Sequence, residues 1–179
     1  MNRGFEPHVS HWRTFTDEEL AAELRSLPYG AVILVDGRSG SGKSTAAGRI
    51  ARVLGATVVH TDDIAWHHDF FEWADLLRDN ILDPWRTGAE VVFRPPAWEE
   101  RGRGGSIDVP AGARALVVEG VGCARPGLAE YGDLILWVTS DADEAYRRSM
   151  IRDRAERPTP GDAEAFWDEW EAVEGPFLD

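Results

Sequence analysis

The chain has 179 residues, a net charge of −13, and 43% hydrophobic and 28% charged residues, the balance of one soluble globular domain with a sizeable core. That acidic excess argues against a general nucleic-acid surface, and no apolar run approaches the ~18 residues of a membrane span. The single cysteine, Cys123, allows neither an internal disulfide nor a cysteine-based zinc cage, and without an apolar signal core at the N-terminus the expected compartment is the cytoplasm.

Residues 1–13 carry no periodic pattern and read as a loosely packed arm. Thr16-Asp17-Glu18-Glu19 is a capping-box signature. Leu20, Leu24 and Leu27 then share one helical face, and Pro28 with Gly30 ends the segment, which predicts a helix beside the first strand. Ala31-Val32-Ile33-Leu34-Val35 reads as a buried strand. Gly37-Arg38-Ser39-Gly40-Ser41-Gly42-Lys43-Ser44-Thr45 follows and fits G-x-x-x-x-G-K-[ST], the phosphate-binding loop. Ala46, Ala47, Ile50, Ala51 and Leu54 then recur at helical spacing. Strand, glycine loop and helix together suit phosphate: backbone N–H groups turn inward, and the helix N-terminus adds partial positive charge. Lys43 would reach the β- and γ-phosphates of a nucleotide, and Ser44 would hold Mg²⁺. Lys43 is the only lysine; every other fixed side-chain cation is arginine. A compact ammonium stands where this motif requires one.

Ala56–His60 is a second predicted strand, ending in Thr61-Asp62-Asp63. Ligands gather at the carboxyl ends of strands in open α/β sheets. One of the two aspartates could accept a proton from a hydroxyl, and either could reach a Mg²⁺ water; the alternative, for Asp63 above all, is a helix cap. Residues 66–82 show helical spacing, with Trp66, His67, His68, Phe70, Phe71 and Trp73 crowding the start. Trp66 and its neighbours would line a pocket for a flat substrate or pack the core, and the two histidines read as solvated or hydrogen-bonded. Val91–Phe93 is a short strand. Residues 94–105 read as a Pro/Gly-rich loop offering Arg94, Arg101 and Arg103 to an acceptor, and 106–109 could pair back. Ala115–Glu119 and Leu134–Val138 are apolar runs that predict buried parallel strands, the first delivering Glu119 to a strand end. A helix from about Asp141 carries Arg147, Arg148, Arg152, Arg154 and Arg157, either to clamp phosphates or to pair with neighbouring carboxylates. Asp162–Glu174 predicts a last amphipathic helix, with no fifth apolar strand after it.

Four places in order resemble the P-loop nucleoside kinases, in particular the uridine kinase and phosphoribulokinase group. They are residues 36–45, Asp62-Asp63, Val118-Glu119-Gly120, and Ser140-Asp141-Ala142-Asp143 leading to Arg148 and Arg152-Asp153. The resemblance implies a three-layer α/β P-loop NTPase fold with a mainly parallel sheet flanked by helices. It implies Asp62 as the base on the acceptor hydroxyl, Glu119 assisting Mg²⁺ or the acceptor, and Arg148 and Arg152 as lid arginines. Departures fall on the acceptor side: Ile64-Ala65 and Ala97-Trp98 replace the family's Phe-Tyr and Tyr-Asp, and Pro158 and Pro160 interrupt the lid.

The expectation is thus one kinase domain over 1–179, with its core at 31–54, an acceptor region at 62–110 and a lid at 141–160. ATP and Mg²⁺ would bind at Gly37, Ser39, Gly40, Ser41, Gly42, Lys43, Ser44 and Thr45, with Asp62 and Glu119 completing the metal site. Asp63, Trp66, Arg94 and Glu119 would meet a small-molecule hydroxyl acceptor, a nucleoside first. A kinase for a sugar or vitamin precursor and an ATP-binding regulatory protein are the rival readings. A GTPase switch is disfavoured, because its Asn-Lys-x-Asp guanine reader needs a second lysine. No nucleic-acid or membrane partner is expected, and a homo-oligomer stays open.

Overall fold

The apolar run that precedes the glycine loop lies at the heart of the sheet. In the computed structural model, which describes residues 15–157, 159 and 161–175, β1 (Ala31–Asp36) is buried along its whole length. It sits between β5 (Ala115–Glu119) and β6 (Leu134–Trp137), and β2 (Thr57–His60) lies outside β5. Every pairing in this four-stranded sheet is parallel, so helices must cover both faces. The arm expected at residues 1–13, the interruption at Pro158 and Pro160, and the last four residues lie outside the described residues.

Alternation along β1 feeds two cores. Ala31, Ile33 and Val35 pack with Ala47 and Ile50 of α2 (Lys43–Leu54) and with Leu24 of α1 (Asp17–Leu24). The Thr16–Glu19 capping box is present in both directions, and Asp17 bonds Arg49 and Arg52, so α1 is tied mainly to α2. Val32 and Leu34 face the other core, with Trp73, Leu77, Ile81 and Trp85.

Four expectations need correcting. The helix expected over 66–82 starts later: α3 (Thr61–Ala65) ends as Trp66 turns to ψ 115, and His67 is left-handed at φ 54. Helical backbone resumes as α4 (Ala74–Leu77), widens to a π-turn at Arg78–Leu82, and closes as α5 (Asp83–Arg86). The wide turn precedes Pro84, whose ring cannot sit over an α-helical carbonyl four residues back. Second, the expected loop at 94–105 contains α6 (Pro96–Glu100), opened by a proline in its first turn. It bridges β3 (Val91–Phe93) and β4 (Ile107–Val109), which pair antiparallel in a separate ribbon. Third, β6 is parallel but not buried. It is the sheet edge, with Ile135 45% and Trp137 41% exposed. Fourth, Asp63 caps nothing, since His60 is the N-cap of α3.

The chain finishes with α7 (Ala142–Glu156), capped by the Asp141 carboxylate, and α8 (Asp162–Glu174). The two helices meet through Met150, Ala163 and Trp167.

Candidate active site

The glycine loop leaves β1 at Asp36. This buried carboxylate accepts from the backbone N–H groups of Gly37, Gly122 and Ala124 at 2.7, 2.8 and 2.7 Å. One side chain thereby fixes the start of the loop against the turn that follows β5. Gly40 is left-handed at φ +74, and a Cβ there would lie 2.2 Å from the Ala145 carbonyl oxygen of α7. Only glycine lets the loop lie that close to the helix. Gly40→Ala should therefore cost about 1–3 kcal/mol, read as a fall in Tm of about 2–4 °C per kcal/mol at this size. Gly48→Ala, at an open helical position, should instead gain about 0.5–1 kcal/mol.

Lys43 opens α2 and is buried; its Nζ donates to the Arg38 carbonyl at 2.9 Å. The next residue, Ser44, donates its hydroxyl to Glu119 Oε1 at 3.1 Å. Parallel pairing sets His60 of β2 beside Glu119 of β5, and His60 Nδ1 stands 2.5 Å from the same Oε1. Burial pushes the Glu119 carboxyl up, but the hydrogen bond and charge of His60, with help from Lys43 and Ser44, leave it below its ordinary value. The His60 ring moves above its ordinary value, chiefly through its bond to Glu119.

Asp62 is open to a concave cavity yet ringed by protein. That enclosure, and then the charge of Glu119, hold its carboxyl above the usual value, against the pull of Lys43, Arg152 and His60. A partly desolvated carboxylate with a raised affinity for protons is suited to take one from a hydroxyl.

Lys43, Ser44, Asp62 and Glu119 share one cavity of about 950 Å³, room for a nucleotide and a small second substrate. Ser39, Gly40, Gly42, Lys43, Ser44 and Thr45 line its floor; Asp62, Asp63, Trp66 and Glu119 line one wall and Arg148 and Arg152 another. Gly37 and Ser41 shape the loop without lining the cavity. Both α7 arginines also have acidic partners: Arg148 bonds Glu144 at 2.8 Å and Arg152 bonds Asp153 at 2.9 Å. Arg147, with Arg148, holds the Glu144 carboxyl down to about 2. The pairing expected as the alternative role for this cluster is real, and it leaves both guanidiniums on the cavity.

Arg94 is not brought to the site. It is exposed and donates to the Arg103 carbonyl at 2.7 Å. Arg103 takes its place: it lines the cavity, binds Asp63 at 2.6 Å, and lies 3.7 Å over the Trp98 ring and 5.1 Å from that of Trp66. Asp63 is thus committed to Arg103, and its carbonyl accepts from the Trp98 indole at 2.8 Å. Trp98 is buried core, whereas Trp66 meets the cavity. Phe70 of the 66–73 turn and Phe166 and Trp170 of α8 join it there, Phe70 and Trp170 edge-to-face at 5.4 Å. Of the three arginines that the sequence offers to an acceptor, Arg103 is the one brought to the cavity. His60 is not singled out by the sequence; its signal is a polar residue closing an apolar strand two places before Asp62.

The donors present fit Mg²⁺ and a nucleotide. Ser44 Oγ, Glu119 and Asp62 form an all-oxygen set, and Mg²⁺ prefers one or two carboxylates supplemented by water and phosphate oxygens. Among the described residues no helix is long and apolar enough to cross a membrane.

Solved structures share this architecture. One is a possible uridine kinase from Bacillus stearothermophilus, 16% identical, with a TM-score of 0.54 over 74% of this chain and 84% of that one. Another is a putative fructose transport system kinase from Silicibacter sp. TM1040, 20% identical, with a TM-score of 0.57 over 80% of this chain and 85% of that one. No family model matches the chain, and no curated protein matches it in sequence. With its central parallel sheet and its glycine loop between β1 and α2, the chain has the α/β fold of the P-loop kinases.

Proposed function

We propose that this protein transfers the γ-phosphoryl group of ATP to a hydroxyl on a small molecule, a nucleoside first. One observation carries the reading: Lys43 and Ser44 of the glycine loop, Asp62 after β2, Glu119 at the end of β5 and the Arg148 and Arg152 side chains of α7 converge on a single cavity. Lys43 and the amides opening α2 would bind the triphosphate. Ser44, Glu119 and Asp62 would hold Mg²⁺, which when bound neutralises charge on the phosphate oxygens. His60 orients Glu119. Asp62 would align the acceptor hydroxyl and take its proton. Arg148 and Arg152 would meet charge that grows on the transferring group.

The nucleoside preference rests on Trp66, Phe70, Phe166 and Trp170, whose flat faces suit a base. A sugar acceptor is the second reading, favoured by the likeness to the putative fructose transport system kinase. A panel of nucleosides, sugars and sugar alcohols assayed for ADP release separates them: nucleosides should stimulate release, and stimulation by sugars alone would reverse the preference.

Arg148→Ala and Arg152→Ala should each lower kcat more than they weaken ATP binding. Arg154→Ala should do little, because Arg154 turns away to Glu164 at 2.5 Å. Equal losses in all three would reduce the cluster to general electrostatics.

A further inference from the structure

A carboxylate from the far end of the chain already sits on the phosphate loop. Glu174 closes α8 and is 3% exposed, and its Oε1 accepts from the backbone N–H of Ser39 at 2.5 Å. Carboxylates this deeply buried are rare unless paired. Burial pushes the Glu174 carboxyl above its ordinary value, and the Ser39 amide, Trp170, Lys43 and Arg38 pull against that rise; the amide and the two cations are the features that make such a loop attract phosphate. To a backbone N–H, a carboxylate oxygen and a phosphate oxygen are interchangeable acceptors. In the same arrangement Lys43 Nζ is turned onto the Arg38 carbonyl. The Ser39 amide and the Lys43 ammonium are thus both engaged within the chain, the first of them by a carboxyl group.

We propose that Glu174 is an internal occupant of the phosphate loop, which a nucleotide must displace to engage the loop fully. The proposal rests on the loop being the nucleotide site. Its consequence reaches the acceptor side, since Phe166, Trp167 and Trp170 on the same helix line the cavity. Displacing Glu174 loosens the end of the helix that carries those rings, so nucleotide arrival and acceptor-wall geometry are linked through α8. The observed affinity for nucleotide is the intrinsic one reduced by the fraction of molecules in which the loop is free.

The sign of one substitution separates this role from a structural tie. Glu174→Gln keeps shape but exchanges a charged acceptor for a weaker neutral one, so the Kd for Mg·ATP should fall about tenfold by calorimetry. If Glu174 merely braces the loop, the same change leaves Kd unchanged or raises it, and the proposal is overturned. Glu169→Gln, an equal charge change at an exposed position of α8, should leave Kd alone; equal tightening there would assign the effect to net charge and overturn it too. A measurement on the unmodified protein stands beside the variants. Mg·ATP should speed amide hydrogen exchange in the last turn of α8 while slowing it in the glycine loop. Slower exchange in both regions would contradict displacement while leaving the nucleotide site intact. No ATP binding by any folded form would remove the nucleotide reading itself, and the proposal with it.

Discussion

Replacing Lys43 by alanine should reduce ATP-dependent turnover by about 10²–10³-fold, the scale of losing one electrostatic donor to a transition state. Lys43 is buried at the first position of α2, where it lines the cavity floor. Its hydrogen bond to Arg38 is to a backbone carbonyl within the loop, so the side chain holds no distant element in place and the fold should survive. Lys43→Arg should fail as well, because the site accommodates a compact ammonium and not a planar guanidinium. Since the chain has a single lysine, a lysine-directed ATP analogue should label this side chain and no other. Unchanged ADP release from a folded alanine variant would remove the glycine loop from the mechanism.

Asp62→Asn should lower kcat by about 10²–10⁴-fold, the usual worth of general-base assistance, with ATP binding nearly unchanged. The amide keeps the shape and one acceptor but loses the charge and the affinity for a proton that enclosure and Glu119 raise. Asp63→Asn should act differently. Asp63 is bound to Arg103, which stacks on Trp98, so the change should loosen the acceptor wall and show in KM for the acceptor more than in kcat. Equal kcat losses at both positions would mean that Asp62 is not the base.

The central α/β unit was legible because its signals are local. An apolar run, a spaced set of glycines and a helical repeat lie within 31–54, and each is dictated by its own residues. Glu119 was legible for the same reason, as the polar end of an apolar run. What could not be read depends on neighbours distant in sequence. Leu134–Val138 is as apolar as Ala115–Glu119, but only strand order makes the former an edge with Ile135 and Trp137 exposed. The five-residue helix α6 is too short to show a period and begins on prolines that also mark loops. Arg94 and Arg103 look alike as sequence; Asp63, 40 residues away, selects Arg103, which the nearby Trp98 ring then supports. His60 meets Glu119 through strand register across 59 residues, and Glu174 reaches Ser39 across 135.

Phosphoryl transfer to a hydroxyl is followed at its source by tracking the γ-phosphate itself. ATP labelled at the γ position should be incubated with Mg²⁺, the protein and each of a broad series of nucleosides, sugars and sugar alcohols, and the products separated. Label should appear in a phosphate ester of at least one hydroxyl compound, formed together with ADP and lost in Lys43→Ala and Asp62→Asn. If ATP binds yet no compound in the series ever acquires label, the phosphotransferase reading is contradicted and the chain is an ATP-binding regulatory protein.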